Sequence, residues 1–267
     1  MSVTSVKKGA LEYLRSDLIR VPHCFTTRLG GVSRGYLESM NIGIHRGDDP
    51  ENVIENYRIL CRELGCEAED LVLSHQVHSD IVLAVDREHC GAGLFSEQLP
   101  ECDALVTNTP GVGLVVFTAD CTPILLHDPV TGAVGAAHAG WRGTASGIAA
   151  RTAEKMMALY GCRPEDIRAS IGPNIGACCF ETDADVPQAL LSQVGPEVEP
   201  MIRQQGDKYY VNLKEVNALH LRRCGVRTID ISTECTHCSP DRFWSHRITG
   251  GQRGSQGAII VCRGTQR

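Results

Sequence analysis

The chain has 267 residues, of which 42% are hydrophobic and 22% charged, with a formal net charge of −6. It is long enough for one large domain or two small ones around a sizeable core. No stretch approaches the roughly 18 unbroken apolar residues of a membrane span, and Lys and Arg form no basic run of the kind that tracks nucleic acid; neither partner is expected. In chain order, FTTRLGGVSRG from Phe25 to Gly35 reads as a Gly/Ser/Arg loop, and Glu51 to Gly65 as a helix ended by glycine. LVLS and IVLAV, from Leu71 and Ile81, read as strands flanking the loop HQVHSD. A dense β region follows, with ALVT from Ala104, VGLVVFT from Val112, PILLHD from Pro123 and AVGAAHA from Ala133.

The segment from Gly147 to Tyr160 is predicted to be a helix, with Ile148, Ala149, Met156 and Leu159 on a helical period. A strand over Ile167 to Ile171 then enters the turn GPNIGACCFE. Val186 to Val194 and Leu213 to Cys224 read as helices, whereas KYYVN, TIDIS and GAIIVC read as strands. Helices fall irregularly between many strands, which makes the fold class α+β. There is no internal repeat or linker, so residues 1–267 are read as a single domain. Neither GxGxxG nor GxxxxGK[ST] occurs, which leaves a dinucleotide or P-loop fold without support.

The opening MSVTSVKKGALEYLRSD lacks the apolar core and cleavage site of a signal peptide, so a cytoplasmic protein is expected. Its thirteen cysteines are then expected to be reduced. Cys61, Cys66, Cys90, Cys162, Cys224 and Cys262 lie in apolar or helical surroundings and read as small buried hydrophobes.

One hairpin carries chemistry. PILLH and AVGAA flank the turn-rich loop DPVTG, and folding them antiparallel about its centre sets Cys121 opposite His138 where the hairpin opens. Cys121 lies in TADCTP, with an acid before it, and His138 lies in AAHAGWRG, whose small residues permit close backbone approach. A third ligand can come from the HQVHSD loop, which offers both His75 and His78. One thiolate and two imidazoles suit zinc, with a fourth position for water or substrate, and copper is possible on the same donors. Zinc would acidify the water towards neutral pH. Elsewhere, CTHC (Cys235 to Cys238) has no second CxxC pair at zinc-finger spacing, and it is expected to be structural and metal-free. Adjacent Cys178 and Cys179 would alternate sides if extended. Among the other histidines, His45 and His75 are the ones expected near a site.

TRLGGVSRGYLESMNIGIHRGDDPENVIENY, QVHS, DALVTNTPGVGLVVFTADCTPILLHDP, AAHAGWRGT and IGPNIGACCFE together resemble the laccase-domain family, the multicopper polyphenol oxidoreductase-like proteins. The resemblance runs from about Phe25 to Val261. It implies that the His of QVH, the Cys of TADC and the His of HAGW are zinc ligands, here His78, Cys121 and His138, and so selects His78 over His75. It also implies mixed sheets in α/β/β/α layers, as in a bacterial toxin Cys/His deamidase. Two departures stand out: the family's usual Asn-Arg near the end of the first motif reads Asn56-Tyr57-Arg58, and its usual FFSYRRDG-like segment reads FWSHRITGG, which keeps Arg247 but not its neighbours.

Members of that family are described as purine nucleoside phosphorylases, peptidoglycan editing factors or polyphenol oxidases. The first reading is expected here: zinc-dependent phosphorolysis of adenosine, inosine, guanosine and methylthioadenosine, with adenosine deamination at the same site. The partners are then a nucleoside and phosphate, with the chain a monomer or small homo-oligomer. Arg28 in its Gly-rich loop is expected to bind phosphate, with Asn41 and Arg247 as further substrate contacts. The alternatives are hydrolysis of a misincorporated amino acid from a UDP-muramoyl precursor, and copper-dependent phenol oxidation. Against the last, the ten histidines contain no His-x-His pair of the kind that feeds a multicopper cluster.

Overall fold

Strands that are apolar without alternation, such as GLVVFT, must be covered on both faces. A computed structural model of the protein, describing residues 3–265, shows what covers them. In chain order the elements begin with β1 (Val3–Lys8), β2 (Leu11–Ser16), β3 (His23–Thr26), α1 (Pro50–Leu64), β4 (Leu71–Leu73), β5 (Val82–Ala84) and β6 (Ala104–Thr107). Next come β7 (Gly113–Thr118), β8 (Thr122–His127), β9 (Val134–Ala139), α2 (Trp141–Ala145), α3 (Ile148–Tyr160), β10 (Arg168–Ile171) and β11 (Glu181–Thr182). The chain closes with α4 (Asp185–Gln193), β12 (Ile202–Gln205), β13 (Lys208–Val211), α5 (Leu213–Arg223), β14 (Thr228–Ile231), α6 (His246–Thr249) and β15 (Gln256–Val261).

One six-stranded sheet has the order β1-β2-β3-β15-β7-β4 and a second has β14-β10-β8-β9-β6-β5, with β11-β13-β12 as a small third sheet. Both large sheets are mixed, since β4 with β7, β5 with β6 and β10 with β14 pair parallel. Their facing sides interdigitate: Leu114, Val116 and Ile260 from the first meet Leu105, Leu125 and Ala136 from the second. Strand parity turns Val115 and Ile259 the other way, onto Val53, Tyr57 and Leu60 of α1. On the far side Ile124 and Leu126 meet Ile148, Ala153 and Met156 of α3. The result is the expected α/β/β/α layering in a single domain. Among the described residues no helix is long and apolar enough to cross a membrane.

Local sequence fixes the helix ends. Asp49 accepts the Glu51 N–H at 3.0 Å, Pro50 occupies the first turn, and Gly65 at φ 65° closes α1. The predicted stripe of α3 is buried at Ile148, Ala149 and Met156, but Leu159 is 51% exposed. The last turn is covered instead by Tyr160, whose hydroxyl donates to the Val106 carbonyl at 3.3 Å. The hairpin of β1 and β2 went unread because β1 is a polar edge strand, with Thr4, Ser5, Lys7 and Lys8 exposed.

The β8–β9 register differs from the one predicted. Pro123, not Cys121, lies opposite His138, and Thr122 lies opposite Ala139. The turn is displaced because Asp128 Oδ1 accepts the N–H groups of Val130 and Thr131, at 2.8 and 3.3 Å, and Gly132 takes φ 76°. A slip of two residues keeps every side chain on its face. Cys121, just outside β8, therefore shares the side of Pro123 and Leu125 and reaches His138 diagonally.

Candidate metal centre

Cys121 and His138 stand at the end of the inner faces of the second sheet, where the two-sheet core opens to solvent. The HQVHSD loop brings the third side chain. The ligand atoms of His78, Cys121 and His138 all lie within 4.8 Å of one another. Cys121 Sγ is 3.9 Å from His78 Nε2, and the two imidazoles meet edge to face, with centroids 4.9 Å apart. His75 is not in the group; its Nδ1 is tied to the Leu99 carbonyl at 3.0 Å.

A buried carboxylate orders the set. Asp103 Oδ1 accepts from His138 Nδ1 at 2.7 Å, which leaves Nε2 to face Cys121, and from the His78 N–H at 3.1 Å. Its Oδ2 accepts from the N–H and hydroxyl of Ser79, both at 2.7 Å, and from the Val77 N–H at 3.2 Å. Burial works against ionisation, yet the His138 and Ser79 contacts hold Asp103 at about 2. Burial likewise opposes charge on Cys121 and His138, but each favours the ion of the other: the thiol falls to about 6 and the imidazole rises to about 9. A metal would take the place of the shared proton, since its ligands are thiolate and neutral imidazole.

The backbone is shaped to the same end. His78 and Asp120 adopt positive φ, 64° and 82°, where non-glycine residues are uncommon. Asp120 is held there by Thr236 Oγ1 at 2.6 Å, Ser245 Oγ at 3.0 Å and the Arg247 N–H at 2.7 Å, all donating to its carboxylate. Gln76, the first residue of QVH, pins the loop to β7 by accepting the Phe117 N–H at 2.6 Å and donating to the Phe117 carbonyl at 2.9 Å. Gly140 leaves room for the His78 ring, because a Cβ there would stand 2.7 Å from His78 Cδ2.

These donors fit zinc: two imidazoles and one thiolate, the buried imidazole oriented by a carboxylate on its other nitrogen. They floor a cleft of about 210 Å³ walled by His45, His75, Phe117, Arg46 and Arg253. Ser255 Oγ accepts from Arg46 Nε at 3.3 Å and from Arg253 Nη1 at 3.4 Å, which places two guanidinium groups side by side. Burial and the neighbouring Arg46 charge lower Arg253 to about 10.

The three predicted substrate contacts lie outside this cleft. Arg28 spends its fork on the carbonyls of Pro240 and Glu38, each at 2.9 Å, and stacks on Trp244. Asn41 is wholly buried, donating to Asp48 and accepting from Gly43 and Ser255. Arg247 is exposed, its side chain over Phe180. The residues that went unread were Asp103, Arg46 and Arg253. Asp103 opens the DALVTNTPG motif and Arg46 lies in the IHRGDDP motif, but neither motif says what the side chain does, and nothing in the sequence connects Arg46 to Arg253, 207 residues on.

The layered mixed sheets and the His₂Cys group at their open end define a class, and comparison with known proteins gives it a family. Residues 22–263 match the family described as multi-copper polyphenol oxidoreductase laccase. The chain belongs to this family. It is 41% identical to the purine nucleoside phosphorylase of Deinococcus radiodurans, over 94% of this chain and 92% of that one. It is 39% identical to purine nucleoside phosphorylase YlmD of Geobacillus stearothermophilus, over 88% of each. The solved structure of YlmD from Geobacillus stearothermophilus superposes with a TM-score of 0.91 at 36% identity, covering 98% of this chain and 99% of that one. A Bacillus licheniformis protein described as hypothetical protein YfiH superposes with a TM-score of 0.89 at 32% identity, over 97% of each chain.

Proposed function

We propose that the protein is a zinc-dependent purine nucleoside phosphorylase that also deaminates adenosine, with inosine, guanosine and methylthioadenosine as further phosphorolysis substrates. The observation that carries this reading is the joining of a three-ligand centre to a paired-arginine wall in one cleft. In phosphorolysis a phosphate oxygen bonds to C1′ of the ribose while the bond from C1′ to N9 breaks, its electron pair leaving on the purine. The chain must therefore hold a multiply charged anion, and Arg46 and Arg253 supply charge and donors for it. An anion between them would also relieve their mutual repulsion. Zinc, when bound, supplies a Lewis acid and activation of water, the chemistry that replacement of the C6 amino group by oxygen requires. His138 is kept in the competent tautomer by Asp103, and Gln76 fixes the loop that presents His78.

The direct test incubates zinc-loaded protein with inosine and phosphate, and with adenosine alone. Formation of hypoxanthine with ribose 1-phosphate, and of inosine from adenosine, is the expected result. Cys121→Ser is expected to lose the zinc of the His₂Cys centre and both activities together. If neither reaction occurs in the unmodified enzyme but an amino acid is released from a UDP-muramoyl precursor, the proposal fails in favour of cell-wall editing.

A further inference from the structure

The second cysteine pair that CTHC lacks along the sequence is supplied by the fold. GPNIGACCFE does not run extended through Cys178 and Cys179. It turns, with the N–H groups of Cys179 and Phe180 both donating to the Gly176 carbonyl at 2.9 Å. That turn points both thiols at the loop holding Cys235 and Cys238. Cys238 Sγ lies 3.4 Å from Cys179 Sγ and 3.6 Å from Cys178 Sγ. All four sulfurs fall within 4.8 Å of one another.

We propose that Cys178, Cys179, Cys235 and Cys238 bind a second zinc ion as a tetrathiolate, a structural centre separate from the His₂Cys site. Zn–S bonds of about 2.3 Å arranged tetrahedrally set sulfurs about 3.8 Å apart, close to the spacing the side chains already hold. A disulfide joins two sulfurs about 2.0 Å apart, whereas Cys238 stands almost equally far from two partners, as it would around a shared ion. Four soft thiolates select zinc over calcium or magnesium.

The surroundings are built for the purpose. The Gly176 N–H donates to Cys235 Sγ at 3.2 Å, and a Cβ on Gly176 would crowd Cys178 Sγ at 3.2 Å. The two segments are already tied, since the Thr236 N–H donates to the Asn174 carbonyl at 3.0 Å. Four thiolates around zinc leave a net negative charge. The buried Lys214 lies against the same loop, its ammonium donating to the carbonyls of Ser232 and Glu234 at 2.7 and 2.6 Å.

The place of this centre gives it a task. Thr236, inside the CTHC loop, donates to Asp120 Oδ1, and the Ile175 N–H donates to the Asp120 carbonyl at 2.9 Å. Asp120 immediately precedes Cys121 and holds a positive φ. The tetrathiolate clamps the two loops that keep it there, and so steadies one ligand of the first site from behind.

Metal analysis of protein purified under reducing conditions tests this. The unmodified chain is expected to carry two zinc equivalents, and both Cys121→Ser and Cys238→Ser to carry one each. Cobalt substituted into Cys121→Ser should show the strong thiolate-to-metal charge transfer and visible bands of tetrahedral sulfur ligation. This second measurement decides the matter even if Cys238→Ser fails to fold. A single zinc in the unmodified chain that vanishes in Cys121→Ser overturns the proposal. So does a disulfide from Cys238 to Cys178 or Cys179 in freshly purified protein without a second zinc. None of these outcomes depends on which nucleoside, if any, the enzyme turns over.

Discussion

Asp103 organises the candidate centre although it is not one of its three metal-binding side chains. Its two oxygens receive the His138 imidazole, the Ser79 hydroxyl and three successive loop N–H groups. Asp103→Asn keeps the shape but gives the loop a donor where it needs an acceptor. Zinc affinity should fall about 10–100-fold, read by competition with a chromophoric chelator. The carboxyl is held at about 2, below its ordinary value, so its contribution is full above the ordinary carboxylate range and lost as pH falls through about 2. That contribution is about 2 kcal/mol. Urea midpoints of metal-free protein followed from pH 5 to pH 2 should drop more steeply for the unmodified chain than for Asp103→Asn; parallel curves would assign the acid sensitivity elsewhere. Gly140→Ala probes packing alone. The backbone there, φ −66°, suits alanine, but its methyl would push on His78. Circular dichroism should be unchanged while zinc content falls, and full zinc retention would show that the QVH loop yields freely.

At the scale of elements, strands β7, β8, β9 and β15 are covered on both faces, and this explains why their sequences lack alternation. Helix α3 covers the outer face of β9 through Met156, which is fully buried. Met156→Ala should cost about 2–5 kcal/mol, whereas Leu159→Ala, three residues on but exposed, should stay within about 0.5 kcal/mol. Chemical denaturation of the two variants checks both figures, and equal losses would mean that Leu159 is covered in solution. The β8–β9 hairpin shows how an element can tolerate an error in its predicted pairing. Its register is set by the Asp128 turn, two residues away from the symmetric choice, and a two-residue slip leaves Cys121 and His138 on the same face.

For the whole molecule, the charge balance and the cleft have opposite sign. A net charge of −6 repels anions at long range, while Arg46 and Arg253 attract them locally. Under the proposed reaction, Arg253→Ala should raise the KM for phosphate at least about 10-fold, the loss of one charge-assisted pair. Arg28→Ala should leave it nearly unchanged, because that guanidinium is committed to the Pro240 and Glu38 carbonyls. Steady-state kinetics with phosphate varied at fixed inosine separates the two. A larger effect at Arg28 would return the anion site to the Gly-rich loop. Removing metal should destabilise the fold as a whole, since binding to the native state alone is linked to unfolding, by about 4 kcal/mol at a thousand times Kd.

The sequence by itself determined the local features: helix α1 from its cap, proline and closing glycine, and the apolar strands from Ala104 to Ala139. It also brought two of the three candidate donors together, because Cys121 and His138 lie at the open end of strands joined by a short turn, so their nearness is a local matter. The choice between His75 and His78 came only with the family motifs. Tertiary structure alone decided what is assembled across long separations. Asp103 reaches His138 from the residue before β6, Arg46 meets Arg253 at Ser255, and Cys178 and Cys179 meet the CTHC loop about 60 residues on. The physical reason is the two-sheet packing. Burial of both faces fixes which strand ends lie together, and side chains at those ends become neighbours through a core that no short-range pattern describes.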